Sequence, residues 1–451
     1  IKGTTVYGHA FIDTAIQNGA TAIVCEKLPE TLHPSTTYIL VNDSAEALGH
    51  IAHLYFDEPS KKLNLIGVTG TNGKTTTSNL TSFVLSNKYE ITNNKEGSNL
   101  IYGIATSFFQ KIGKIGVFEI DEFHINKIIK MREPEIIAIT NVFRDQLDRY
   151  TEVNKIRTLW IENFKHLKET KFIVNSDDPS LAYHFKNFNT LFYGLNLNYS
   201  RLNEIENASD SHYCPNCKVP LKYNKIYYSH LGNYECPICG FKNPKNYLEF
   251  EDVRTYGVRG IELKINGRYY FLNVSGFYNA YNVLCSLVIC NILKFSINEF
   301  FEISKNFKVP FSRGEILKYK DKEIILMLVK NPVGFNEILR IAYEENFDLI
   351  VISINDWTAD GHDVSWLWDV DFENLINSKE IYITGNRAYD MAVRLKYANY
   401  NNFKIFENYK NCIETALNSD YKKIGIMATY TSTILIRKFL SKFKITKSKF
   451  Y

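Results

Sequence analysis

Short unbroken apolar runs alternate along this chain with stretches whose apolar residues return every three or four positions. Unbroken runs of this length read as buried strands, and the longer spacing reads as amphipathic helices. From the start the spacing predicts a helix over 9–18, strands over 21–25 and 37–41, and a helix over 44–55. The run 63–68 predicts a buried strand that breaks into a polar turn at 69–75 and a helix from Thr76. A second helix opens over 95–100, and the strand that follows over 115–120 ends in acids. Strands are expected over 135–141 and 172–174, a hairpin over 223–234, and a helix after Gly276. Beyond residue 316, strands at 324–329, 349–354, 381–384 and 423–428 alternate with helices near 334–345, 388–397 and 408–417. Strand–helix alternation specifies an α/β protein with open, largely parallel sheets and sites at the C-terminal ends of the strands.

Composition narrows the class. At 451 residues the chain has room for about three domains of ~150 residues each. Hydrophobic residues make up 45% and charged residues 23%, the balance of a soluble globular protein. A net charge of +4 gives no argument for a nucleic-acid partner, yet does not oppose an anionic substrate or membrane surface. No apolar run approaches the ~18 residues of a membrane span, and no signal peptide is evident. The chain opens at Ile1, as a fragment or a processed form would.

The stretch Gly70-Thr71-Asn72-Gly73-Lys74-Thr75-Thr76, between a strand and a helix, carries the first chemistry. Its glycines permit a tight turn with backbone N–H groups aimed inward. Lys74 adds a positive charge, Thr75 a hydroxyl for a metal, and the helix start a positive dipole end. Together these residues describe a phosphate cradle, although the common Walker pattern would require Gly at the position of Val68. As a loop residue, Lys74 is expected to contribute little to packing. Carboxylates ending the 115–120 strand would lie beside the cradle, and Glu119 is the first choice for Mg²⁺, ahead of Glu122. Asp177 and Asp178, after the 172–174 strand, suit turn formation equally well.

Cysteine spacing carries the second. Cys214-x-x-Cys217 and Cys236-x-x-Cys239, eighteen residues apart, supply four thiolates for a tetrahedral Zn²⁺ with no open coordination position, which makes the metal structural. Cys25, Cys285, Cys290 and Cys412 stand alone, as buried thiols in a reducing cytosol do.

The short form Gly-Thr-Asn-Gly-Lys-Thr-Thr resembles the phosphate loop of the Mur ligase family, ATP-dependent amide-forming enzymes of cell-wall precursor synthesis. Gly276-Phe277-Tyr278-Asn279-Ala280-Tyr281-Asn282 resembles the family's segment whose two amides, here Asn279 and Asn282, contact the nucleotide. Arg313 resembles its linker arginine, directed at ATP phosphates. Where most of the family has Asp-His-Leu-Asp, this chain has Asp145-Gln146-Leu147-Asp148, and an amide is a poorer metal ligand than imidazole. The run from Val142 to Tyr150 resembles instead the MurT-type branch. So do Lys330-Asn331-Pro332, the segment Asn355 to Trp366, and Ala428-Thr429-Tyr430-Thr431. Residues 4–9 and 22–26 resemble the UDP-sugar-binding domain of the MurE-type branch, with Tyr7 where Asp is usual.

The resemblance implies a partial MurE-like N-terminal domain over 1–62 and a central ATP-binding domain over 63–312 with a zinc ribbon at about 211–242. A MurT-type α/β domain over 313–451 follows. It implies a cytoplasmic ligase using ATP, Mg²⁺ and a structural Zn²⁺. That ligase would amidate the D-glutamate α-carboxylate of lipid II at the inner membrane surface, giving D-isoglutamine through an acyl phosphate. No cysteine here has the surroundings of a glutaminase nucleophile, so ammonia would come from a GatD-type glutaminase subunit in a heterodimer. Asp360 or Asp363 would complete that partner's Cys-His pair. Spacing does not separate the two, and Asp363 is preferred because it precedes Val364-Ser365-Trp366. Two other readings stay open: a MurE-type amino-acid ligase, favoured by 1–62, and an inactive nucleotide-binding zinc-ribbon scaffold.

Overall fold

The structure, a computed structural model, describes residues 8–55, 58, 63–94, 99–110, 112–144, 153–308, 313–375 and 380–445. Its centre is a seven-stranded sheet in the order 248–250, 190–195, 171–175, 136–139, 64–69, 115–119, 91–93, with every neighbouring pair parallel. The strand Asn64–Thr69 lies between 136–139 and 115–119, and all its residues after Asn64 are buried. A parallel sheet covered on both faces requires that continuous apolar character.

The helices Lys74–Leu85 and Asn279–Ile292 lie against each other, and their Leu80, Val84, Leu284, Leu287 and Val288 bury against Ile66 and Val68. The opposite face is filled by Ile125, Trp160, Phe164, Phe172 and Phe185. Each such side chain contributes roughly 1.5–3 kcal/mol by leaving water. A second sheet has six strands in the order 313–319, 322–328, 423–428, 349–353, 380–384, 403–405, parallel except for its first edge strand. It completes the α/β architecture expected from the alternation of elements.

The smaller pieces are a hairpin of Lys222–Tyr228 and Leu231–Glu235, a three-stranded antiparallel sheet over 252–272, and a two-stranded parallel sheet of Ala22–Cys25 and Thr37–Leu40. The helix expected to open over 95–100 begins at Ile101 and runs to Gln110: Asn99 and Leu100 are not helical, and 95–98 lie outside the described residues. The sequence pattern did not reveal the three-stranded sheet, the edge strand Arg313–Tyr319 or the helix Tyr430–Leu440. That helix reads Tyr-Thr-Ser-Thr-Ile-Leu-Ile at its start, a β-branched run that propensity assigns to a strand. Burial of Ile436, Phe439 and Leu440 against the six-stranded sheet overrides it.

Asp177 and Asp178 are structural. Asp178 caps the helix Pro179–Phe185, its carboxylate accepting from the Ser180 and Leu181 amides at 2.9 and 3.1 Å. Asp177 accepts from the Leu195 amide at 2.8 Å and the Tyr281 hydroxyl at 2.9 Å. Burial nevertheless pushes the Asp177 carboxyl up to about 7. A folded-state value above the unfolded one means stability that is full below pH ~4 and is lost as pH climbs through the folded value. We expect unfolding free energy to fall between pH 4 and 7, by no more than ~1.4 kcal/mol per unit from this group. Chemical denaturation of Asp177→Asn should show a flatter profile, and an unchanged slope would refute the assignment.

Candidate functional site

The phosphate loop is shaped by the absence of side chains at two positions. Gly70 and Gly73 sit at φ +122° and +86°, in the left-handed region. A Cβ on Gly70 would stand 2.4 Å from the Thr140 hydroxyl, and one on Gly73 would stand 1.9 Å from the Asn282 amide oxygen. No other residue type fits there without moving the neighbouring strand end or helix. The loop is tied to the strand 136–139 through its following residues. The Thr71 amide donates to the Asn141 carbonyl at 2.9 Å, the Asn72 amide to Asn141 Oδ1 at 2.9 Å, and the Thr140 hydroxyl to the Asn72 carbonyl at 2.7 Å.

Lys74, expected to contribute little to packing, is in fact enclosed. It is buried, bonds the Gly70 carbonyl, and pairs with Glu122 at 3.0 Å. Burial pushes the Glu122 carboxyl up, and the Lys74 ammonium pulls it the other way. Thr75 and Thr76 follow on the first turn of the helix, and no side chain caps that helix start.

Glu119 ends its strand directly beside Val68, in register with it. Its backbone is pinned by Asn94, whose side chain accepts from the Glu119 amide at 2.9 Å and donates to the Glu119 carbonyl at 2.8 Å. One carboxylate oxygen accepts from Asn99 at 3.3 Å. The other is buried with no hydrogen-bond partner among the described residues. A buried carboxylate oxygen left bare costs free energy unless a cation meets it. The residues therefore fit a hard divalent ion held by Glu119 beside the loop.

Asn279 and Asn282 both make hydrogen bonds within the fold. Asn279 donates to the Ser275 carbonyl at 2.7 Å and Asn282 donates to Asn279 Oδ1 at 2.8 Å; both are buried, and Asn282 lies against Gly73. Arg313 opens an edge strand paired with Met327, and its side chain lies outside the described residues, as does Gln146.

Two residues not singled out for the cradle reach it from the six-stranded sheet. Lys330 Nζ donates to the Thr71 carbonyl at 3.3 Å, and Asn331 Nδ2 donates to Asn72 Oδ1 at 2.9 Å. The C-terminal end of the strand Lys322–Leu328 thus abuts the phosphate loop. The sequence signal was the position of Lys330-Asn331 at a strand end. Which sheet's loop it would meet was not readable.

The four cysteines converge, their sulfurs all within 4.8 Å of one another. The two knuckles repeat one geometry. The Cys217 amide donates to Cys214 Sγ at 3.4 Å and the Cys239 amide to Cys236 Sγ at 3.5 Å. Cys214 and Cys236 amides donate to the Val219 and Phe241 carbonyls, each at 2.7 Å. The 3.8 Å between the Cys214 and Cys239 sulfurs is the separation of two thiolates at ~2.3 Å from one tetrahedral zinc. The cluster is compatible with zinc.

At the C-terminal ends of 349–353 and 423–428, Asp360 is an internal staple. It is buried and accepts from the Thr431 amide at 2.8 Å and from the Thr431 hydroxyl. Asp363 is half-buried and accepts from the Ser365 amide at 2.7 Å. Trp357, Trp368 and Tyr397 nearby are 48%, 50% and 71% exposed.

This architecture is that of the Mur ligases. The chain is similar to a pseudomurein peptide ligase type C from Methanothermus fervidus, with TM-score 0.67 and 21% identity over 98% of both chains. It is also similar to MurF from Acinetobacter baumannii, with TM-score 0.71 and 14% identity over 98% of this chain and 89% of that one. At such identities these show the fold. Family models match at 1–56 (Mur ligase family, catalytic domain), 68–290 (Mur ligase middle domain) and 328–433 (MurT ligase C-terminal). The chain is 34% identical over 384 residues to "Lipid II isoglutaminyl synthase (glutamine-hydrolyzing) subunit MurT" of Staphylococcus aureus, covering 82% of this chain and 85% of the relative. Against the subunit of the same name from Streptococcus pneumoniae it is 33% identical over 407 residues, 86% of this chain and 90% of that one. It therefore belongs to the Mur ligase family, in the MurT branch, and is an ATP-dependent ligase. It is also 54% identical over 80 residues to "UDP-N-acetylmuramoyl-L-alanyl-D-glutamate--2,6-diaminopimelate ligase" of Parabacteroides distasonis, 18% of this chain and 16% of that one. Among the described residues no helix is long and apolar enough to cross a membrane.

Metal analysis of purified protein should find about one zinc per chain. Cys236→Ser should lower zinc content and thermal stability together while leaving ATP affinity of the folded fraction nearly unchanged. Full stability without zinc would refute a metal role for the cluster.

Proposed function

We propose that this chain is the MurT-type subunit of a lipid II isoglutaminyl synthase, amidating the D-glutamate α-carboxylate of the stem peptide to D-isoglutamine. The observation that carries the reading is the 34% identity across 82% of the chain to a subunit of that name. It is supported by the phosphate cradle at Lys74. The domains are proposed as 1–62, 63–312 with the zinc ribbon at about 211–242, and 313–451. The chain works in the cytoplasm on lipid II at the membrane surface.

ATP binds with its phosphates on the loop 70–76. The substrate carboxylate oxygen attacks the γ-phosphorus, the bond to the β–γ bridging oxygen breaks, and ADP leaves an acyl phosphate. Ammonia then attacks the acyl carbon, inorganic phosphate departs, and the nitrogen loses a proton to give the amide. Lys74 and loop N–H groups neutralise charge on the transferring phosphoryl group, which is largely electrostatic work. Glu119 and Thr75 would hold Mg²⁺, which supplies further charge neutralisation when bound. Asn279 and Asn282 hold the loop from beneath, and Arg313 serves the phosphates from the edge strand. Zinc at Cys214, Cys217, Cys236 and Cys239 is structural.

Ammonia comes from a GatD-type glutaminase partner. The exposed tryptophans beside Asp363 suit a protein interface, and Asp360 is already engaged by Thr431. Asp363 is thus the aspartate that reaches the partner's histidine and holds its tautomer. The MurE-type reading is favoured by similarities confined to 78–80 residues. ATP turnover measured with ammonia and with a diamino acid as acceptor separates the two: turnover with ammonia alone would decide against it.

Lys74→Met should lower ATP-dependent amidation by on the order of 10²–10³-fold. Glu122, left without its cation, takes up a proton and spares the fold. Near-normal turnover in folded Lys74→Met would overturn the cradle assignment. Asp363→Asn should abolish glutamine-driven amidation by the complex and spare amidation driven by free ammonia. Equal loss with both nitrogen sources would move Asp363 to the ligase site, and no loss with either would make it a turn residue.

A further inference from the structure

The helix Pro332–Glu345 meets the central part of the molecule at three heights along its length. Just before its first turn, Lys330 and Asn331 touch the phosphate loop. At its middle, fully buried Glu337 accepts from Arg201 at 2.7 Å and from Arg340 at 2.6 Å. Arg340 continues to Glu206, which also accepts from Asn336 at 3.1 Å. At its end, the Gly257 amide donates to Glu344 at 3.1 Å and the Val258 amide to Glu345 at 2.7 Å. Positions 337, 340 and 344 lie three and four apart, so they share one helix face.

Arg201 and Glu206 belong to the segment that leads into the four-cysteine unit. The Arg201 and Leu202 amides donate to the Ile226 carbonyl, at 2.9 and 3.1 Å, which lays this segment along the hairpin between the knuckles. The Arg201 guanidinium also stands 4.3 Å from the Phe277 ring centroid, just ahead of the helix Asn279–Ile292. Arg201 is therefore fixed on two sides before it meets Glu337.

Apolar packing alone would let a helix slide. A buried carboxylate oxygen that accepts one N–H from each of two guanidinium groups does not, because any slip strands a desolvated charge. Such a group adds little net stability, but it specifies one arrangement. From Asn331 to Glu337 the helix rises about 9 Å, a rigid distance that transmits register from the grip to the loop.

We infer that Arg201 and Glu206 are positioning residues through which the cysteine-rich insertion grips the Pro332–Glu345 helix and sets Lys330 and Asn331 against the phosphate loop. The inference rests on the reading of that loop as the ATP site. It gives the insertion a task in catalysis that lies outside its own fold.

The test is a double-mutant cycle on the intact complex, with ammonia as nitrogen source. Arg201→Met should lower kcat by on the order of tenfold, the scale set by small misplacements of catalytic groups. Its Kd for ATP, read with a fluorescent nucleotide, should not move. Lys330→Ala should also lower kcat, and Arg201→Met in that background should add no further loss, because both act through one contact. Losses that multiply would make Arg201 a merely structural residue and overturn the inference. So would unchanged kcat in folded Arg201→Met, or a silent Lys330→Ala. Failure of the ATP reading is distinct, since the parent chain would then not bind the nucleotide at all. Should Arg201→Met not fold, Arg201→Lys keeps the charge without the fork, and its smaller loss must show the same non-additivity.

Discussion

The chain is built around a turn that has no room for side chains. Gly70 is backed by Thr140 and Asn141, and Gly73 rests on the Asn282 amide. Those neighbours come from the adjacent strand end and from a helix some two hundred residues later. The sheet order, the Asn279–Ile292 helix and the reach of Lys330 are all conditions on the geometry of five residues. Asn279 and Asn282 make sense in that light. An amide bonded within the fold and wedged under a glycine holds the loop's floor, so its contribution to phosphate binding passes through loop shape.

Part of the charge around the loop is paired within the fold. Lys74 and Lys330 both stand at the Thr71 carbonyl, and buried Glu122 pairs with the first of them. Burial and the Lys74 ammonium act on the Glu122 carboxyl in opposite senses, with burial the larger. An anion arriving on the loop competes with Glu122 for Lys74. Protonation of Glu122 relieves that competition at less cost than it would in water, because burial has already weakened the acid. The cradle thus holds its lysine in place with a partner that can give up its charge.

How much of this was legible follows from the range of the forces involved. The parallel strands were visible because a strand covered on both faces must be apolar throughout, as 64–69 and 136–139 are. The cysteine cluster was visible because one tetrahedral ion constrains four residue types and two spacings together. The helix Tyr430–Leu440 was hidden by β-branched residues whose preference yields to burial of Ile436 and Phe439. Contacts that join distant segments left no local trace. Glu122 meets Lys74 across 48 residues, and Lys330 meets Thr71 across 259. Acidity beside the loop was legible, but which acid pairs with the lysine and which keeps a bare oxygen required the fold.

Burial also sorts the two aspartates of the C-terminal loop, which spacing left equivalent. Asp360 spends both oxygens on Thr431, the second residue of a helix start, and so holds the loop to the end of 423–428. Asp363 makes one local bond to Ser365, a turn contact that costs little to exchange. A residue that must leave its own chain's bonds to serve a partner belongs to the second kind. Burial also separates Glu119 from Glu122 at the other site: among the described residues Glu122 pairs with Lys74, while one buried Glu119 oxygen has no hydrogen-bond partner.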